Sequence, residues 1–283
     1  MMKRKLFLLL ILFGLFTSSC ITIELGKDQL YRPVKEATLD STFSFRREYV
    51  SVTDTTRIET WLMEQPNARM NIVYFNGNGS NIRSSIPTFN ALGRWAKANV
   101  YATNYSGFGR SEGEPDLPGI VRDGRKALER FEEVMNSTLP TYVMGYSLGG
   151  YVALHLVEAS SIDGSLLLST FTSADDVEKH VMKELVPGAA RLFLRVKLDS
   201  SAQQLDNKRL IAKSEKPVFL AHGKEDEFLP PSMSVRLMEI APAVRKRVYL
   251  VKEGDHRTVL KDPEQASGIA KEIAIFILGE VPD

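Results

Sequence analysis

The strongest constraint on the fold lies in residues 141–150, which read Thr-Tyr-Val-Met-Gly-Tyr-Ser-Leu-Gly-Gly. This pattern predicts a short apolar strand, a tight turn and then a helix. Ser147 stands at the apex of the turn, between Gly145 and Gly149. A turn that presents a strained serine leaves no room for side chains two residues to either side. Ser147 is therefore a candidate nucleophile, although an ordinary strand-to-helix turn could carry the same glycines.

Composition indicates one main globular domain without a polyanionic partner. Of the 283 residues, 43% are hydrophobic, which suffices for one large core. The 36 lysines and arginines nearly balance the 35 aspartates and glutamates. No basic stripe with interleaved aromatic residues occurs, so the sequence argues against nucleic-acid binding.

The first nineteen or so residues are typical of an export signal. A charged start, Lys3-Arg4-Lys5, precedes an uninterrupted apolar run at 6–16 and the small residues 17–19. Residues 16–20 then resemble a bacterial lipobox, which implies that Cys20 becomes the lipid-bearing first residue of an exported, membrane-anchored lipoprotein. Thr17 departs from the usual aliphatic residue of that motif. The alternative is an uncleaved N-terminal anchor.

The remaining chain predicts a tether over 20–40 and one α/β domain over 41–283. Residues 43–52 and 56–63 alternate like an antiparallel hairpin, and apolar strands then alternate with helices up to about residue 278. This order predicts a doubly wound, mostly parallel sheet with its functional residues at the carboxyl edge. The long segment 171–214 is predicted to be a small helical insertion over the site. It either lines an acyl pocket or only packs on the sheet.

A nucleophilic serine requires a histidine base and a carboxylate that orients it. His256 is the preferred base, because it follows the apolar strand 248–251 after a short polar loop. The acid is expected in the loop after strand 218–221, where Asp226 is preferred over its neighbours Glu225 and Glu227. The other histidines are weaker candidates for the catalytic base. His155 is predicted to pack within the helix after Ser147, and His180 lies in the predicted insertion. His222 stands at the end of strand 218–221, and the candidate acids between it and Ser147 would be Asp163, Asp175 or Asp176.

An acyl-transfer reaction at Ser147 would also need donors for a developing oxyanion. The N–H group of Leu148, at the start of the predicted helix, is one candidate. The second is the N–H group of Asn78, in the glycine-rich loop after the strand at 72–75.

Three further motifs, together with the turn at Ser147, resemble the α/β-hydrolase superfamily, in particular its depalmitoylase-like and prolyl-peptidase-like serine hydrolases. They are Asn-Tyr-Ser-Gly-Phe-Gly-Arg-Ser-Glu-Gly at 104–113, His-Gly-x-x-Asp-x-x-Leu-Pro at 222–230, and Gly-Asp-His at 254–256. The resemblance spans about residues 71–278. It implies an eight-stranded sheet and the chain order serine, acid, histidine, which Ser147, Asp226 and His256 satisfy. The loop at 76–78 reads Asn-Gly-Asn where the family often has His-Gly-Asn.

The resulting hypothesis is a serine hydrolase that cleaves an acyl ester or thioester through a covalent acyl-enzyme. The expected partners are a small-molecule or lipid acyl substrate and the membrane that holds the N-terminal anchor. No cofactor is expected, and the widely spaced histidines predict no metal site. The alternatives are a non-catalytic envelope protein that binds a lipid or partner on the same fold, a peptidase and an acyltransferase.

Overall fold

Three central strands form the middle of the sheet, and every residue in them is buried: β4 (Met70–Phe75), β5 (Ala98–Thr103) and β6 (Thr141–Tyr146). Such continuously apolar strands are typical of a parallel sheet covered on both faces. The structure, a computed structural model, describes residues 21–25, 41–135, 138–188, 190–192 and 194–282. The predicted signal peptide 1–19, Cys20 and most of the predicted tether lie outside these residues.

The sheet has eight strands in the order β10-β9-β7-β6-β4-β5-β3-β2. Strands β2 and β3 are antiparallel to their neighbours, and all other pairs are parallel. The predicted doubly wound sheet with antiparallel first strands is therefore confirmed. The remaining strands of this sheet are β2 (Arg46–Ser51), β3 (Arg57–Met63), β7 (Gly164–Leu168), β9 (Val218–Gly223) and β10 (Lys246–Val251).

Helices cover both faces of the sheet, and the sheet separates the hydrophobic core into two layers. Successive residues of β4 alternate between these layers: Ile72 and Tyr74 pack in one, Val73 and Phe75 in the other. The first layer is closed by α1 (Ile86–Trp95), α7 (Thr258–Lys261) and α8 (Pro263–Leu278). The second is closed by α2 (Leu117–Val134), α3 (Leu148–Leu156), α5 (Asn207–Ile211) and α6 (Ser232–Ile240). Short 3-10 helices occupy Ile82–Ser85, Ala190–Leu192 and Ser200–Gln204.

The predicted insertion at 171–214 contains more than helices. After α4 (Ala174–Leu185) the chain forms strand β8 (Leu194–Leu198), which pairs in parallel with β1 (Ile21–Leu25). Strand β1 falls inside the segment predicted as a tether, so that part of the chain is attached to the insertion. Among the helices of the described residues, none is both long and apolar enough to cross a membrane.

We expect Phe89→Ala to lower the free energy of unfolding by about 3–5 kcal/mol, because it opens a cavity in the first core layer. Phe89 is fully buried, and its ring meets Tyr74 edge-on at a centroid distance of 5.0 Å. The matched control is Phe228→Ala: Phe228 is 63% exposed, so its loss should change stability by about 0.5 kcal/mol or less. Urea denaturation measures both, and equal losses would contradict the assigned core.

Candidate active site

The turn between β6 and α3 holds Ser147 in a strained backbone conformation. Its φ is 52° and its ψ −113°, a combination that costs an L-residue free energy. Two hydrogen bonds hold the strained peptide: Ser147 N–H donates to Leu168 O over 2.8 Å, and Thr170 Oγ1 donates to Ser147 O over 2.8 Å. Ser147 is therefore fixed by the neighbouring strand β7 and the residues that follow it.

The glycines of the turn are required by close backbone approach. A Cβ atom on Gly145 would lie 2.2 Å from Gly149 O, and one on Gly149 would lie 2.1 Å from Phe75 O. Both obstacles are main-chain atoms of the sheet and helix, so neither can move aside as a flexible side chain would. The helix after Ser147 consequently starts directly against the ends of β4 and β6.

His256 lies between Ser147 and Asp226 and contacts both. Its Nε2 is 3.2 Å from Ser147 Oγ, and its Nδ1 is 2.7 Å from Asp226 Oδ2. A carboxylate only accepts hydrogen bonds, so Nδ1 carries a proton and Nε2 of the neutral ring is left to accept the proton of the serine hydroxyl. Tyr146 OH donates to His256 O over 2.6 Å and fixes the loop that carries the ring.

The Asp226 carboxylate accepts four hydrogen bonds in a fully buried position. Its Oδ1 accepts from the N–H groups of Phe228 and Leu229, over 3.1 and 2.8 Å. Its Oδ2 accepts from His256 Nδ1 and from His222 Nε2, the latter over 3.1 Å. Burial raises the pKa of this carboxyl, but the hydrogen bonds from His222 and His256 outweigh it and lower the pKa to about 2. Asp226 is therefore ionised at neutral pH.

His222 is part of the site, although the sequence predicted no role for it there. It is fully buried at the end of β9, and besides Asp226 its Nε2 contacts Leu229 O at 2.8 Å. Both of these partners only accept, so Nε2 carries the proton. Its Nδ1 is 2.7 Å from Ser234 Oγ on α6. The signal in the sequence was the four-residue spacing from His222 to Asp226, which places a strand-end histidine under the turn that carries the acid.

The two predicted oxyanion donors lie at the ends of adjacent strands. Leu148 is the first residue of α3, where N–H groups have no intrahelical acceptor. Asn78 follows β4, whose last residue pairs with Gly145 of β6. A neighbouring segment fixes the loop that carries Asn78, because the buried Tyr105 OH donates to Asn76 O over 2.9 Å. The roles of Leu148 and Asn78 as donors stay predictions.

The motif at 104–113 also supports the loop that carries Asn78. Asn104 Oδ1 accepts from Asn76 Nδ2 over 3.1 Å and from Ile82 N–H over 3.0 Å. Asn104 Nδ2 donates to the buried carboxylate of Glu59 over 2.8 Å. A Cβ atom on Gly109 would lie 2.1 Å from Asn104 Nδ2, which explains the glycine there. The motif therefore positions the loops beside the site.

The rim of the site joins the acid loop to the insertion. The exposed ring of Phe228 stands edge-on to His256 at a centroid distance of 5.1 Å. His180, on α4 of the insertion, donates from Nε2 to Glu227 O over 2.8 Å.

Cys20, the predicted lipid attachment site, lies outside the described residues. Within the described ranges, no three His, Cys, Asp or Glu side chains are grouped as metal ligands.

Comparisons with known proteins agree with this architecture. The family model described as "Serine aminopeptidase, S33" matches residues 66–215. Protein bem46 of Schizosaccharomyces pombe is 29% identical over 215 residues, which cover 72% of this chain and 70% of that protein. The uncharacterized protein YfhR of Escherichia coli K12 is 27% identical over 218 residues, covering 74% and 72%.

Solved structures share the fold at low sequence identity. An esterase from Pyrococcus furiosus superposes with a TM-score of 0.69 at 16% identity, covering 89% of this chain and 99% of that one. Mouse α/β hydrolase domain-containing protein 10 gives a TM-score of 0.62 at 19% identity, covering 83% and 99%. The matched family model and this shared fold lead to one conclusion: the chain belongs to the serine aminopeptidase S33 family of the α/β-hydrolase superfamily.

Proposed function

We propose that this protein is a serine hydrolase that cleaves acyl esters or thioesters. The observation that carries the proposal is the position of His256, with Nε2 3.2 Å from Ser147 Oγ and Nδ1 2.7 Å from Asp226 Oδ2. This is the order of contacts in which a histidine accepts the proton of a serine while a carboxylate fixes its tautomer. In this proposal Ser147 is the nucleophile, His256 the general base and acid, and Asp226 the orienting group.

The reaction would proceed in two acyl transfers. Ser147 Oγ attacks the substrate carbonyl carbon while its proton passes to His256 Nε2, and the N–H groups of Leu148 and Asn78 stabilise the oxyanion. Collapse of the intermediate breaks the bond to the alcohol or thiol, which leaves with the proton from His256. Water then attacks the acyl-Ser147 ester with His256 as base, and the carboxylic acid is released.

The strained turn supports catalysis over a purely binding role. Holding Ser147 at φ 52° costs free energy, and residues strained in this way cluster at active sites. The ionised Asp226 supports the same conclusion, because it is buried with two histidines on one oxygen. Phe228 at the rim supports an acyl substrate with an apolar portion, because its exposed ring lies beside the proposed base.

The proposal includes an exported protein held at a membrane through its N-terminus. The charged start, the apolar run at 6–16 and Cys20 support a signal peptide over 1–19 and lipid attachment at Cys20. The substrates would then be small-molecule or lipid acyl compounds outside the cytoplasm. Mass spectrometry of the N-terminal peptide from membranes distinguishes an acylated Cys20 from an uncleaved anchor.

A serine-reactive fluorophosphonate should label the wild-type protein at Ser147, because His256 activates that hydroxyl. Ser147→Ala should abolish labelling, and His256→Ala should slow it by a factor on the order of 10³ or more. The matched control is Ser232→Ala, which removes an exposed serine at the start of α6. In-gel fluorescence measures the labelling of the folded variants. Equal labelling of the wild type and Ser147→Ala would contradict the mechanism.

A panel of substrates with one acyl group and different leaving groups then tests the bond type. Esters and thioesters are expected to be hydrolysed at least about tenfold faster than the matching amide, because an amine is the poorer leaving group. Faster cleavage of an aminoacyl amide would instead favour a peptidase. Transfer to an added alcohol in place of water would favour an acyltransferase.

We expect His222→Ala to lower kcat about tenfold or more with little change in KM, because a hydrogen bond to a charged group contributes about 1.5–3 kcal/mol. His222 acts through Asp226 and is a positioning residue. His222→Gln should restore most of kcat, since its amide N–H can still donate to Asp226 Oδ2. Each rate is divided by the fraction of protein that a fluorophosphonate can label at saturation. This division corrects the rate for any protein that is not folded. Equal activity per labelled site in the wild type and both variants would refute this role.

A further inference from the structure

Strand β1 is the most N-terminal part of the described structure, so its position shows where the preceding sequence is attached. Strand β1 pairs along β8 in the insertion, with Thr22 opposite Arg195 and Glu24 opposite Lys197. Residue 20 is bonded to Ile21, so the point of attachment of the preceding sequence is the start of β1, beside the insertion. In the proposal above the membrane is held by a lipid on Cys20, one residue before β1, or by the uncleaved apolar run 6–16; a membrane held at Cys20 would lie next to β1 and β8. Ile23, in the middle of β1, is 46% exposed.

A groove beside this strand pair is lined mainly by basic side chains. It lies between α4 and β8 and encloses about 480 Å³. Its basic residues are Lys179, Lys183, Arg191, Arg195 and Lys197. Arg191 binds carbonyl groups at the end of α4, including Val186 O over 2.7 Å. In the described part of the chain, Lys179, Arg195 and Lys197 have no ion pair within 4.0 Å.

Two acidic residues, Asp175 and Glu178, line the groove beside its five basic residues. Glu178 Oε1 accepts from Leu198 N–H over 2.7 Å and from Gln203 Nε2 over 2.6 Å, which ties it to β8 and the following turn. Asp176 pairs with Lys208 over 2.8 Å. Glu24 of β1 lies opposite Lys197, so five basic residues stand against three acidic ones on this surface. The groove therefore presents a net positive surface where the N-terminal segment leaves the fold.

We propose that this groove, together with β1, is a docking surface for an anionic phospholipid bilayer. Phosphate-bearing headgroups match the charge of Lys179, Arg195 and Lys197, and basic residues near an anionic membrane each strengthen binding several-fold. A single hydrophobic attachment holds a protein only weakly, and a basic surface supplies the second contact that stable binding needs. The proposal rests on the membrane attachment proposed above and does not depend on hydrolase activity.

Docking in this orientation would bring the active-site rim close to the bilayer. His180 on the same helix α4 donates to Glu227 O, and Phe228 is the next residue in that loop. Phe228 is exposed and stands over His256, so an acyl chain that leaves the bilayer would meet this ring before the base.

The test is lysine acetylation of the full chain, read by mass spectrometry in the presence of vesicles. With phosphatidylglycerol vesicles at low salt, Lys179 and Lys197 should react at least about fivefold more slowly than with phosphatidylcholine vesicles. Lys126 and Lys252, outside the insertion, should react equally in both. The protection should disappear at 1 M salt, because screening weakens interactions between exposed charges. Equal modification in both vesicles, or no association with anionic vesicles, would overturn the proposal.

A charge-reversal variant provides the second measurement. Lys179→Glu/Arg195→Glu/Lys197→Glu should reduce association of the full chain with phosphatidylglycerol vesicles by a factor on the order of ten or more. The matched control, Arg125→Glu/Arg236→Glu/Lys252→Glu, changes net charge equally at exposed positions elsewhere and should leave association within about twofold of the wild type. Equal losses in both variants would contradict a specific surface. Equal protection of Lys179 and Lys197 by inorganic phosphate alone would also overturn it, in favour of a free-anion site.

Discussion

The Asp226 carboxylate is the interaction on which the rest of the site depends. A buried charge is costly unless donors surround it, and here two backbone N–H groups and two imidazoles do so. Those four hydrogen bonds connect the acid loop, the end of β9 and the loop that carries His256. Removal of one donor would therefore raise the pKa of the acid and loosen the orientation of the base.

The sheet brings these loops together because its strands are parallel at the centre. Strands β4, β6, β7 and β9 all end at one edge of the sheet. Three loops meet at that edge: the loop of Asn78 after β4, the turn at Ser147 after β6 and the loop of Asp226 after β9. Close contacts then fix the turn: Gly149 packs on Phe75 O, and Leu168 O accepts from Ser147 N–H. The strain at Ser147 is thus maintained by strands that the hydrophobic core holds in place.

Local patterns predicted the parts of this arrangement that depend on local chemistry. The glycines around Ser147, the apolar strands and the strand-end positions of Asp226 and His256 all leave a mark in the sequence. His222 was missed as a site residue because it precedes Asp226 in the chain and so does not fit the order serine, acid, histidine; its contact with Asp226 depends on how the following turn folds back over the strand end. The pairing of β1 with β8 was missed because about 170 residues separate the two strands, and each alternates apolar and polar residues over only five positions, which is too short to identify a partner.

The central claim is that Ser147 forms a covalent acyl intermediate. The most direct measurement is rapid-quench mass spectrometry of the protein mixed with a short-chain nitrophenyl ester. The account predicts an acyl adduct on the peptide that contains Ser147 within the first turnover, and none on that peptide in Ser147→Ala. Turnover of the ester without an adduct on that peptide, or with the adduct on another residue, would contradict it.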